Sequence, residues 1–256
     1  MKTIFKTMLV TSLRDKITMF YSVIFPVALL IGLGYYFDNP AYTPRLLTGV
    51  IALSSLFWGV SGIAFQVHWQ RSRGVYKLLK LTPFPTISFI FLMTAARTLL
   101  GILINLAVLG TGVIFFDMAV TIGAVLGTMG MMFIGILCFT CLGFLISNFA
   151  GNEAQINMIS NLFFFPMIFG ADTFYSLKSA PEWVSTMGGL FPFGYYVHGI
   201  RSVLGISSES PLASIMVLLI YTAVLLILAV LTFKWEANAN GQIQMKKAKK
   251  RQRAVV

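Results

Sequence analysis

Long runs without a charged residue dominate this chain, and each is about as long as one bilayer crossing. Only 11% of the residues are charged and 57% are hydrophobic, whereas soluble domains are roughly a quarter charged. A soluble core has no use for several such runs. A hydrocarbon layer needs about 20 apolar residues for each helix that spans it. The pattern predicts an all-α integral membrane fold with six transmembrane helices, at about residues 17–37, 46–67, 98–116, 119–147, 154–171 and 212–233, in one domain covering 1–256.

Local signals add detail. Pro26 and Pro166 fall inside the first and fifth runs, where kinks are expected. Asp117 marks a tight hairpin. Asn152 and Gln155 have the spacing of an N-terminal capping box. Phe5, Met8, Leu9 and Leu13 recur at helical spacing and predict an interfacial helix over residues 1–16. Residues 172–211 are broken by Gly188, Gly189, Pro192, Gly194 and Gly199, so short re-entrant helices between the fifth and sixth spans are expected, shielded by protein. Residues 87–116 exceed one crossing and contain Arg97. A charge at the bilayer centre is costly. Arg97 is therefore expected at the membrane surface, with the span starting at Thr98 and 87–96 as its helical lead-in.

Charge sets the orientation. The net charge is +11. Fifteen Lys and Arg lie in the N-terminal segment, the 68–85 loop and the tail. The opposite loops hold three: Arg45, Lys178 and Arg201. The positive-inside rule then places both termini in the cytoplasm of a multi-pass cell-membrane protein. This basic charge sits beside apolar spans, so it meets anionic lipid headgroups rather than nucleic acid. Cys138 and Cys141 lie within an apolar run with no other ligand near them in sequence and read as packing residues. His68 and His198 are predicted on opposite faces and form no metal site. No Gly-x-x-x-x-Gly-Lys-Ser/Thr loop is present to cradle ATP, and no catalytic cluster is expected.

The stretch Gln70-Arg-Ser-Arg-Gly-Val-Tyr-Lys-Leu-Leu-Lys-Leu-Thr-Pro83 combines a helix-length cytoplasmic segment with a terminating proline. Leu78, Leu79 and Leu81 offer a docking face, although an ordinary positive-inside loop would read the same way. The segment resembles the first cytoplasmic loop of ABC-2 type transporter permeases, matching at Arg71, Arg73, Gly74, Leu78, Leu79, Thr82 and Pro83. It departs at Ser72, where that family often carries Glu. A second resemblance runs through Asn161-Leu-Phe-Phe-Phe-Pro166, Asp172, Pro181-Glu182-Trp183, Phe191-Pro192-Phe193-Gly194-Tyr195 and Arg201.

The resemblance implies the membrane half of an exporter. Residues 69–82, with Lys77, would be the coupling helix. ATP and Mg would be bound by a separate cytoplasmic ATP-binding cassette subunit, present in two copies. A second permease copy or close relative would complete the pathway. The drug and natural-product branch is the nearer likeness, which implies a hydrophobic or amphipathic cargo such as a drug, an antimicrobial peptide or a lipid. Phe191, Pro192 and Tyr195 would form an extracellular gate. Two stripes are candidate pathway linings: Ser55, Gly59, Gly62 and Gln66 on one face of the second span, and Asn157 and Asn161 in the fifth. Helix packing is the competing reading of both. A membrane scaffold or channel component that moves no cargo is the alternative function.

Overall fold

The uncharged runs fold as helices. A computed structural model describes residues 10, 16–80, 86–174 and 181–233, and the regular structure among them is all helical. The expected interfacial helix over 1–16 and the basic tail after Phe233 fall almost wholly outside the described residues.

The chain begins with α1 (Lys16–Met19), a π-helical turn (Phe20–Ile24) and α2 (Phe25–Phe37). It continues with α3 (Thr43–Leu56), a second π-helical turn (Phe57–Ser61) and α4 (Gly62–Ser72). The short α5 (Val75–Lys80) precedes two long helices, α6 (Thr86–Phe116) and α7 (Ile122–Phe149). Then come α8 (Glu153–Phe169), α9 (Glu182–Gly189), α10 (Pro192–Val203) and α11 (Pro211–Leu231).

Five stretches among the described residues are long and apolar enough to cross a membrane: Phe20–Phe37, Thr43–Ser72, Phe91–Phe116, Ile122–Phe149 and Pro211–Leu231. They follow the order of five of the expected runs. The remaining run is α8, whose 17 residues sit at the lower end of spanning length. Thr43–Ser72 is the central column. In its most apolar stretch 89% of the residues are buried by the rest of the chain, against 22% for the first and last spans.

Glycines let neighbours close on this column. Gly59 lies against Phe139, and Gly143 of α7 lies against Val60 and Ile63. Gly127 and Gly135 of α7 receive Val203 and Tyr196 from α10. Two short helices, α9 and α10, form between the fifth and sixth runs, as expected of this broken stretch. Phe193, Tyr196, Val197 and Ile200 of α10 are buried in the bundle. Gly170 and Gly188 meet backbone to backbone, so a side chain on Gly188 would collide with the Gly170 carbonyl.

The helix ends follow the sequence signals. Asp117 adopts a left-handed conformation (φ 46°) in the hairpin between α6 and α7. Asn152 caps α8 by accepting from the Gln155 N–H at 2.9 Å, and the Gln155 side chain accepts in return from the Gly151 N–H at 2.7 Å. The helix expected over 69–82 is instead divided. Its first residues continue α4, Gly74 turns the chain at φ +74°, and Val75–Lys80 forms a separate helix among the described residues. A left-handed φ costs glycine little and other residues considerably more, which explains the break.

Pro26 produces a π-helical turn. Proline has no N–H to give the carbonyl four residues back, here that of Ser22. The Ser54 hydroxyl donates to the Ser22 carbonyl instead, at 2.6 Å, and locks the first span to the central column. Ser54→Ala is expected to cost about 1–3 kcal/mol, the usual penalty for a buried polar group that loses its partner. Thermal unfolding of the purified protein in detergent would register this as a lowered Tm. An unchanged Tm would show that the bond contributes nothing.

Candidate functional site

Three groups of polar side chains stand out against the apolar bundle: one midway along it, one at each end. The middle one is built on Arg97. The earlier expectation placed Arg97 at the membrane surface and began the span at Thr98. α6 runs unbroken from the expected lead-in through Arg97, which is 1% exposed and enclosed by protein. This burial has a physical cause in the neighbouring column. The Arg97 Nη1 donates to Gln66 Oε1 at 2.7 Å, and its Nε donates to the Trp58 carbonyl at 3.3 Å. The guanidinium lies 4.6 Å from the Trp58 ring centroid. Trp58 Nε1 donates back to the Arg97 carbonyl at 2.8 Å. Gly62 provides the space, since a Cβ there would overlap the guanidinium.

This arrangement absorbs the first candidate stripe. Ser55, Gly59, Gly62 and Gln66 do share a face, but within this chain they are buried in helix contacts. The hydroxyls of Ser55 and Tyr196 hydrogen-bond at 2.8 Å. Gln66 holds Arg97, and the two glycines admit Phe139 and Arg97. The second stripe behaves differently. Asn157 and Asn161 are exposed on the outer face of α8, beside exposed Met158, Leu162, Phe165 and Phe169.

The group at the α5 end contains Arg71, which was expected to meet a partner. It is 6% exposed and bonded within the chain. Its Nη1 donates to the Ser147 carbonyl at 2.8 Å and its Nη2 to Asn148 Oδ1 at 2.9 Å. Tyr76 of α5 is 1% exposed, donates to Gln70 Oε1 at 3.1 Å, and packs edge-on against Phe233. Burial pushes the Tyr76 phenol well above its usual range, with Arg71 opposing, so it stays protonated. The outer side of α5 differs: Lys77 is exposed and Leu78 is 65% exposed. Arg73 is exposed beside the Gly74 turn. The Leu79 side chain, Thr82 and Pro83 lie outside the described residues.

At the opposite end Asp172 binds two arginines. Arg45 Nη2 donates to Asp172 Oδ1, and Arg201 Nη1 donates to Asp172 Oδ2 at 3.3 Å. Arg201 also donates to Thr48 Oγ1 at 3.1 Å and to the Thr173 carbonyl at 2.9 Å. Burial pulls the Arg201 pKa down to about 10, against the opposing pull of Asp172, so it remains charged at neutral pH. The cluster ties the start of α3 to α10 and to the segment after α8. Beside it, Phe191 stacks edge-on with Phe163, Pro192 is buried at the start of α10, and the Tyr195 hydroxyl donates to the Gly189 carbonyl at 3.3 Å. The sequence carried one signal for this cluster: Arg45 and Asp172 each stand next to a span end, and Arg201 lies in the segment between the fifth and sixth spans on the same side. Asn148, by contrast, carried none.

The described residues thus form a helical bundle in which a short, partly exposed basic helix lies between the second and third candidate spans. The family model of the ABC-2 type transporter matches residues 1–204, and the chain belongs to that family. Comparison with curated proteins finds no matching relative. Family membership makes the chain a permease component of an ABC transporter and implies an ABC ATPase partner.

The two stripes make opposite predictions. Gln66→Leu removes an acceptor of the Arg97 guanidinium and is expected to cost about 2 kcal/mol, as bonds to charged groups do. Asn157→Leu, on the exposed face, is expected to stay within about 0.5 kcal/mol. Thermal melts of both variants in detergent would check this, and a Gln66→Leu melt equal to the wild type would show the Arg97 contact to be idle.

Proposed function

We propose that this chain is the membrane half of an exporter that moves a hydrophobic or amphipathic compound out of the cell. ATP is hydrolysed by two copies of a separate cytoplasmic subunit. The observation that carries the reading is the two-sided character of α5. Its inner residue Tyr76 is buried against the bundle, while Lys77 and Leu78 are presented outward. A short helix anchored on one side and bearing an exposed leucine beside a lysine is suited to seating in a groove of another protein. The excess of Lys and Arg on this side supports a cytoplasmic location for α5 and for both termini.

The outer face of α8 supports a second permease copy. Amide side chains at membrane depth are poorly matched to lipid and normally face protein or a water-filled cavity. Asn157 and Asn161 are exposed in the single chain, among large apolar side chains. Two such faces brought together would line a path with mixed polar and apolar walls, which suits an amphipathic cargo. Phe191 and Tyr195, beside the Asp172 cluster, would close that path on the outer side.

Co-expression with the ATPase tests the docking reading. The wild-type chain is expected to retain the ATPase through gentle solubilisation, and Leu78→Asp to lose it while keeping the same melting temperature. Retention of the ATPase by Leu78→Asp would remove α5 from the interface, and absence of any ATPase from the wild type would favour a scaffold or channel component. A second measurement addresses pairing. In a background of Cys138→Ala and Cys141→Ala, Asn161→Cys is expected to yield an oxidised dimer in native membranes. Cysteine at Met216, on the exposed face of α11, is expected to yield none. The reverse pattern would place the second copy elsewhere.

A further inference from the structure

The Asn148 side chain bonds three residues in two distant parts of the chain. This side chain is 2% exposed, in the last turn of α7. Its Oδ1 accepts from Arg71 Nη2 at 2.9 Å. Its Nδ2 donates to the Ala229 carbonyl at 2.9 Å and to Thr232 Oγ1 at 3.2 Å. An amide has one accepting and one donating end. Here the guanidinium requires the oxygen on one side, and the carbonyl requires the nitrogen on the other.

The partners are helix ends. The last four carbonyls of a helix have no intrahelical donor. Arg71 supplies one to Ser147, near the end of α7, and Asn148 supplies one to Ala229, near the end of α11. Arg71 and Asn148 therefore close two helix termini at once, and Arg71 stands four residues before α5. Apolar contacts reinforce the junction. The Arg71 guanidinium lies 5.7 Å from the Phe233 ring centroid. Tyr76 meets the same ring edge-on at 5.5 Å. The segment leading into α5 is thus joined through α7 to the end of the last span, which is distant in sequence.

We propose that Asn148 is a positioning residue that clamps the end of α4, which leads into α5, to the ends of α7 and α11, so that these parts move as one body when the ATPase acts on α5. The proposal rests on the reading of α5 as the docking helix. Force applied at Lys77 and Leu78 then passes through the end of α4 to α7 and α11, in addition to travelling along the chain into α6. Removing the amide would leave the end of α4, and the α5 that follows it, free to shift without carrying the last span.

Spin labels on the complete permease–ATPase complex in lipid nanodiscs test this. The background is Cys138→Ala and Cys141→Ala, with labels at Ser72→Cys and Leu231→Cys. Both positions are exposed, and Ser72 lies off the outward face of α5. With Asn148 present, the distance is expected to be narrow and the same without nucleotide and with ATP plus vanadate. With Asn148→Ala, it is expected to broaden and to shift on adding nucleotide. Asn148→Asp keeps the acceptor for Arg71 and removes both donor bonds to the end of α11. It is expected to behave as the alanine variant does and covers the case in which that variant folds poorly. A distance that shifts with nucleotide in the presence of Asn148, or one that stays fixed in both variants, overturns the proposal. An ATPase missing from the wild-type preparation overturns the docking reading, and the clamp's mechanical role with it.

Discussion

Within a hydrocarbon layer a polar group has to find its partner in the protein, because water is absent. This constraint is most severe for the central column, Thr43–Ser72, which is largely enclosed by other helices. Its polar side chains accordingly act as connectors. Ser54 reaches the first span, Ser55 meets Tyr196 of α10, and Gln66 meets Arg97 of α6. Elsewhere in the apolar layer, several hydroxyls and an amide turn back onto their own helix. Thr140 donates to the Ile136 carbonyl, Thr222 to Leu218 and Asn105 to Gly101. The bundle is therefore held in register by a few bonds between helices, with glycines setting how closely the helices approach.

Much of the fold was legible in the sequence because composition carries it. Uncharged length specifies a spanning helix almost regardless of neighbours, and the capping pair Asn152 and Gln155 and the turn at Asp117 are local. What escaped was nonlocal. Arg97 read as a surface residue because the surface is the cheaper place for a charge on an isolated helix, and its partners Trp58 and Gln66 belong to a different span. The stripe from Ser55 to Gln66 was correctly seen as one face. Periodicity locates a face but does not say whether the next surface is a cavity or another helix. The glycine contacts with Phe139 and Arg97 decide that within this chain. Gly74 shows the reverse case, where a single residue divided an otherwise continuous helical pattern.

The two ends of the bundle are built by different means. At the end opposite α5, two arginines converge on one carboxylate and gather α3, α10 and the segment after α8 around Asp172. At the α5 end, the joints are helix carbonyls capped by a guanidinium and an amide, with an aromatic ring between them. Partly exposed ion pairs weaken with salt and are worth little individually. Buried caps are less sensitive to the medium. The Asp172 end is therefore expected to be the more salt-sensitive of the two.

The burial of Arg97 also bears on how the chain enters the membrane during synthesis. An arginine within a spanning helix raises the cost of insertion, by up to about 2.5–3.5 kcal/mol at the helix centre. The column that carries Trp58, Gly62 and Gln66 precedes α6 and emerges first. By the time Arg97 leaves the ribosome, its acceptor, its aromatic neighbour and the gap beside Gly62 have already been made. Insertion of the third span is thereby tied to retention of the second in the insertion site. A circularly permuted chain in which α6 preceded α3 and α4 would meet the bilayer with that charge unsheltered.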